Sequence, residues 1–179
     1  KHLFDNRYGT GHSTLGAIMA ATNLFLTGKQ VVVMGYGWVG RGVARYAAGL
    51  GARVTVTEVD PVKALEAYAD GFSVANSLDA AATGEVFITT TGSVHVLRRE
   101  HFARMRDGAL VANAGHYAHE IDLEGLAAMA VARREVRPKV EAFELADGRR
   151  IHVIAGGELV NIAAADGHPV EIMDLTFAV

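Results

Sequence analysis

The stretch Val31-Val32-Val33-Met34-Gly35-Tyr36-Gly37-Trp38-Val39-Gly40 decides the fold of this chain. An apolar, β-branched run breaks into Gly-x-Gly-x-x-Gly, and a helical pattern follows. Gly35 permits a tight turn off the strand. Gly37 lets backbone come close to a pyrophosphate, and Gly40 lets the next helix pack on the strand. The helix N-terminus adds free N–H groups and the positive end of a dipole. Residues 53–58, Arg-Val-Thr-Val-Thr-Glu, alternate like a second strand and end in an acid about 20 residues past the glycines. The Glu58 carboxylate can accept both ribose hydroxyls of adenosine. A 2′-phosphate would meet like-charge repulsion there, about 4 kcal/mol per unit charge at contact distance near a surface. The pattern predicts NAD rather than NADP.

Strand and helix alternate on either side of this turn. Ser13 reads as the N-cap of a helix carrying Leu15, Ile18, Met19, Thr22, Phe25 and Leu26, closed by Gly28. A helix over residues 38–50 and another from Asp60-Pro61 to residue 70 follow the first two strands. Residues 72–75 suit a short third strand, 77–83 an alanine-rich helix, and 85–90 a strong strand. A helix over 99–106, a strand over 109–112 and a helix over 122–133 complete the series. After Pro138 the period changes. Residues 140–145 and 149–154 alternate across Ala146-Asp147-Gly148, a hairpin signal. Residues 158–166 suit a helix, and 170–179 form a short amphipathic segment. The expected fold is α/β: a doubly wound, Rossmann-like parallel sheet with a C-terminal β-hairpin and flanking helices.

Composition narrows the function classes. The 179 residues are half hydrophobic and about a fifth charged, which suits one globular domain. A net charge of −3 makes no case for nucleic acid or an anionic membrane surface. Without cysteine there is no disulfide framework and no thiol nucleophile. No apolar run approaches 18 residues and no segment reads as a signal peptide, so a cytoplasmic protein is expected. The histidines show no metal spacing, and no metal is expected. The chain starts at Lys1 rather than methionine, so it reads as a piece of a longer protein.

In an open α/β sheet, ligands lie at the carboxyl ends of the strands. Small and polar residues gather at those ends: the glycine turn, Glu58, Thr89-Thr90-Thr91-Gly92 and Asn113-Ala114-Gly115-His116. They can hydrogen-bond ribose and nicotinamide and leave room for the ring. Asn161 and the Gly167-His168-Pro169 turn carry less local signal.

These motifs carry a resemblance. Lys1-His2-Leu3-Phe4-Asp5-Asn6-Arg7-Tyr8-Gly9-Thr10-Gly11 resembles the hinge motif of the S-adenosyl-L-homocysteine hydrolase family. Residues 35–42, 57–61, 113–116 with 120–122, 147–150, and 159–161 through 167–169 resemble it too. The resemblance covers essentially the whole chain, with His12 standing where the family usually has glutamine. It implies a cofactor domain over residues 13–167 between hinge segments 1–12 and 168–179, with the substrate domain and C-terminal tail lying outside this chain. It implies Lys1, Asp5, Asn6 and His116 as catalytic residues. The substrate would meet Lys1, Asp5, His116 and His168. NAD would meet Gly35, Gly37, Trp38, Val39, Gly40, Glu58, Lys63, Thr90, Thr91, Gly92, Ala114, Gly115, His116 and Asn161.

The family reaction gives the cofactor a purpose. Homocysteine is a thiolate leaving group on an unactivated 5′ carbon. Oxidising the 3′-hydroxyl to a ketone acidifies the 4′ C–H, so elimination, water addition and re-reduction can follow. The resemblance further implies S-adenosyl-L-homocysteine, or adenosine and homocysteine, as small-molecule partners, and a homo-oligomer, tetrameric in the family. Cofactor binding without turnover is expected of this piece alone. Two alternatives stand beside this reading: a stand-alone NAD-binding module, and the cofactor half of a D-2-hydroxyacid-dehydrogenase-like oxidoreductase.

Overall fold

The computed structural model describes residues 4–178. A wide turn of π-helical geometry, Asp5–Thr10, runs directly into α1 (Gly11–Thr22). The alternation expected from the sequence then follows: β1 (Gln30–Met34), α2 (Trp38–Gly49), β2 (Arg53–Thr57), α3 (Pro61–Ala69), β3 (Ser73–Val74), α4 (Ser77–Thr83), β4 (Val86–Thr89), α5 (Arg99–Phe102) and β5 (Ala109–Asn113). The C-terminal third adds α6 (Leu123–Met129), β6 (Ala130–Arg137), β7 (Val140–Leu145), β8 (Arg150–Ile154), α7 (Val160–Ala163) and α8 (Val170–Ala178).

All eight strands form one sheet in the order β3-β2-β1-β4-β5-β8-β7-β6. The first six positions pair in parallel, with β8 taking the sixth place of a doubly wound sheet. The β7–β8 hairpin then extends the sheet with antiparallel pairing, and β6 closes the edge. The expected hairpin is therefore part of the sheet itself.

The strands bury both faces by strict alternation. Val31, Val33, Val86, Ile88, Leu110 and Ala112 point into one core with Leu15, Ile18, Val43 and Ala47 of α1 and α2. Val32, Met34, Phe87 and Val111 point into the other with Ala80, Phe102 and Leu126 of α4, α5 and α6. Each fully buried Val, Leu, Ile, Phe or Met among them contributes about 1.5–3 kcal/mol by leaving water. Because the central strands β1, β4 and β5 are held from both sides, their carboxyl ends are a rigid platform for the loops above them.

Several local expectations need correction. Ser13 is no N-cap: it lies inside α1, and its hydroxyl donates to the Gly9 carbonyl at 2.8 Å. The helix reading of residues 122–133 overruns. Asp122 does cap α6, but Ala130 onward is strand. Ala, Met and Arg favour helix locally, yet pairing with β7 prevails. Residues 158–166 hold only the single turn α7, and the helix expected over 99–106 ends at Phe102. Among the described residues no helix is long and apolar enough to cross a membrane.

Candidate functional site

A cleft of about 540 Å³ opens where β1, β2 and β4 end. Gly35, Gly37, Glu58, Lys63, Thr90 and Thr91 line it, six residues that the sequence places at the cofactor. The floor is built by the glycine turn. Gly35 has φ +105°, in the left-handed region that disfavours a side chain, and its N–H donates to the Thr57 carbonyl at 2.8 Å. At Gly40 a Cβ would stand 2.1 Å from the Gly35 carbonyl oxygen, so the start of α2 can reach the strand only without one. At Gly37 a Cβ would meet nothing within 4 Å. That open volume lies at the N-terminus of α2, whose first N–H groups have no intrahelical acceptor. The cradle fits a pyrophosphate.

Glu58 follows β2 and faces this turn. One carboxylate oxygen accepts from the Tyr36 N–H at 2.7 Å; the other accepts from Val59 N–H at 2.7 Å and Asp60 N–H at 3.1 Å. Three backbone donors thus aim the carboxylate, and the oxygen that accepts only from Tyr36 keeps a lone pair for a ribose hydroxyl. Tyr36 is itself anchored: its ring is buried and its hydroxyl donates to Asp70 at 2.6 Å. Burial and the neighbouring Asp70 carboxylate hold the Tyr36 phenol far above its ordinary range. Arg41 lies over the Tyr36 and Trp38 rings and pairs with Glu66.

The β4 end is held as firmly. The Thr90 hydroxyl donates to the Met34 carbonyl at 2.9 Å, stitching β4 to β1 above their last paired residues. Thr89 donates to the Asn113 side chain at 3.0 Å, and the same Asn113 oxygen accepts from the Gly115 N–H at 2.7 Å. The far wall of the cleft is Asn76, Ser77, Val94, His95, Arg98 and His101. Burial pushes the His101 imidazole below its ordinary range, and its ring nitrogen stands 3.1 Å from the Ser77 hydroxyl. Among the described residues no group of three or more His, Asp or Glu side chains could hold a metal.

The family model described as S-adenosyl-L-homocysteine hydrolase, NAD binding domain, matches residues 6–167. The chain belongs to that family. Adenosylhomocysteinase of Aquifex aeolicus is 57% identical over 178 residues, 99% of this chain and 43% of the relative. That of Thermococcus kodakarensis is also 57% identical, over 99% of this chain and 42% of its own length. The chain spans less than half the length of these relatives. Among solved structures, a dipicolinate synthase polypeptide from Bacillus halodurans superposes with a TM-score of 0.63. It is 23% identical over 68% of this chain and 42% of that one. D-lactate dehydrogenase from Escherichia coli gives 0.56 at 20% identity, over 68% of this chain and 45% of that one. These likenesses show a shared fold.

NAD is the cofactor of this S-adenosyl-L-homocysteine hydrolase domain, and the cradle at Gly37 beside Glu58 fits it. The other residues assigned by resemblance are placed less uniformly. Trp38 is half-exposed and Val39 half-buried at the start of α2. Gly92 donates its N–H to Glu120, and Ala114 donates to the Thr89 carbonyl. Asn161 is buried. Its amide donates to Ser13 Oγ at 3.1 Å, while its Oδ1 has no partner among the described residues. His116 is exposed, edge-on to the Tyr117 ring. His168 Nε2 stands 3.0 Å from Thr10 Oγ1, and Asp5 accepts from the Asn6 N–H at 2.8 Å. Asp5, Asn6, His116 and His168 do not line the cleft. Lys1 lies outside the described residues.

Sequence reasoning missed the wall formed by Asn76, Ser77 and His101, which no motif announces. It also gave Glu120 no role of its own, and it read Asn113 as facing the ligand where the structure bonds it to Thr89 and Gly115. A polar side chain in an otherwise apolar strand was the available signal for Asn113.

Proposed function

We propose that this chain is the cofactor-binding part of an enzyme that hydrolyses S-adenosyl-L-homocysteine to adenosine and L-homocysteine, reversibly. The observation that carries the proposal is the NAD cleft in a chain 57% identical to an adenosylhomocysteinase over 99% of its length. Bound NAD would supply a hydride acceptor, and later a donor, for the substrate's 3′ carbon. The chain's own residues orient it. Glu58 takes the adenosine ribose, the Gly37 turn takes the pyrophosphate, and Thr90, Thr91, Gly92, Ala114, Gly115 and Asn161 surround the nicotinamide end. Lys63 lines the same cleft, and Trp38 and Val39 open the helix that follows the Gly37 turn.

In this proposal Lys1 assists proton removal at the 3′-hydroxyl, with Asp5 and Asn6 beside it. His116 and His168 meet the substrate. Such a lysine needs a lowered pKa, from burial or nearby positive charge. Residues 1–12 and 168–179 serve as hinges around a cofactor domain at 13–167. The remainder of the longer protein supplies the other half of the adenosine pocket. Assembly as a homo-oligomer and a cytoplasmic location belong to the same reading.

The test uses the full-length protein. Incubated with S-adenosyl-L-homocysteine and NAD, it should release a free thiol and adenosine, and E58A should lose most of that activity together with NAD affinity. No thiol release by the NAD-loaded protein would overturn the assignment. Calorimetric titration should show NAD bound and NADP rejected. Equal affinity for the two would refute the role given to Glu58.

A further inference from the structure

Of the buried polar side chains among the described residues, one is an acid: Glu120 is 0% exposed. No described Lys, Arg or His forms an ion pair with it. A buried carboxylate is unfavourable unless donors surround it. Here the donors are all in one loop. Oε2 accepts from the Thr91 N–H at 3.0 Å and from the Thr91 hydroxyl at 3.1 Å, and Oε1 accepts from the Gly92 N–H at 2.6 Å.

The same side chain presses on the neighbouring loop. A Cβ on Gly115 would stand 1.6 Å from Glu120 Oε1. The main chain around it binds a third segment: Leu97 N–H donates to the Glu120 carbonyl at 3.0 Å, and His95 N–H to the His119 carbonyl at 2.8 Å. Thr91, His95 and Val96 line the cleft, and Glu120 does not. One carboxylate therefore holds the loops after β4 and β5 in register with the cleft wall.

We infer that Glu120 is a positioning residue for the NAD cleft, fixing Thr91 and Gly92 against the Gly115 turn through a carboxylate that accepts on both oxygens. The inference rests on the NAD reading of the cleft. Glutamine is the discriminating substitution. It keeps the shape but brings two N–H donors, and whichever oxygen it replaces faces a backbone donor.

The experiment is calorimetric NAD titration of the full-length protein, with melting temperatures and amide hydrogen exchange alongside. E120Q should weaken NAD binding about 10- to 100-fold, the range for a lost hydrogen bond to a charged group. The Thr91 and Gly92 amides should exchange faster. F143L, in the core under β7 and away from the cleft, is the control for stability alone. It should lower the melting temperature while leaving NAD affinity unchanged. G115A should also weaken binding, and adding E120D, which withdraws the carboxylate by one methylene, should recover part of the loss.

E120Q that binds NAD like the parent overturns the inference. So does an F143L that loses as much affinity at an equal fall in melting temperature, because the effect is then general destabilisation. If E120Q does not fold, E120D alone decides: weakened binding supports the pin and unchanged binding refutes it. A parent protein that takes up no NAD overturns the cofactor reading and this inference with it. Parent binding with unaffected variants overturns this inference alone.

Discussion

Two glycines of one motif are glycine for different reasons, and substitution separates them. At Gly40 an added Cβ meets the Gly35 carbonyl at 2.1 Å, backbone that cannot step aside. G40A should therefore destabilise the fold by about 3 kcal/mol, as overpacking does, visible as a large fall in the urea midpoint. At Gly37 the space is open and φ is −75°, which alanine adopts without strain. G37A should leave the stability within about 0.5 kcal/mol of the parent. Its methyl group would occupy the phosphate space, so NAD affinity should fall at least about tenfold, or 1.4 kcal/mol. Calorimetry paired with urea denaturation checks both. A G37A protein that binds NAD normally would show that the pyrophosphate lies elsewhere.

At the scale of elements, the α6–β6 junction shows how far local chemistry reaches. Asp122 accepts from the Gly125 N–H at 2.8 Å and starts α6, as its residue type and position suggest. Removing that acceptor in D122A should cost about 1 kcal/mol, read as a shifted denaturation midpoint with unchanged NAD affinity. Where α6 stops is another matter. Ala130–Arg137 carries Arg133, Arg134, Glu135 and Arg137, which suit a solvated helix face as well as an edge strand. All but the first of its eight residues are exposed, so no buried face announces a period of two. The pairing of Ala130 with Leu145 and of Arg134 with Ala142 decides, and that partner lies beyond the next turn. Charges along this outer strand suit an edge that should not pair further.

For the whole molecule, two imidazoles, the buried His101 and the half-buried His152, set a dependence on pH. Burial pushes both His101 and His152 below the ordinary histidine value of 6.5. The unfolded chain binds their protons near that value, whereas the folded chain does so only at lower pH. Unfolding thus takes up protons in this window, and stability falls as the solution is acidified. The contribution of the neutral rings is complete above about pH 6.5 and is lost as pH falls through their folded values. Melting temperature should decline from pH 7.5 toward pH 5, and H101Q should flatten part of that slope. An unchanged slope in H101Q would show that His101 titrates alike in both states.

The doubly wound sheet and its cofactor were legible in the residues alone. Both depend on short-range information: apolar strands with a period of two, a glycine turn whose sterics are local, and an acid one strand away. Six of the residues the sequence offers for the cofactor line one cleft, most of them beside strand ends that such a sheet brings together. That β8 takes the sixth parallel place, that β6 is a strand, and that His101 and Ser77 stand in the same wall emerge only on folding. Those outcomes depend on pairings between segments distant in the chain. The same holds for Glu120, which in sequence is an acid in the stretch between two expected elements. It becomes a buried pin because Thr91 and Gly92, 29 and 28 residues earlier, turn their donors toward it.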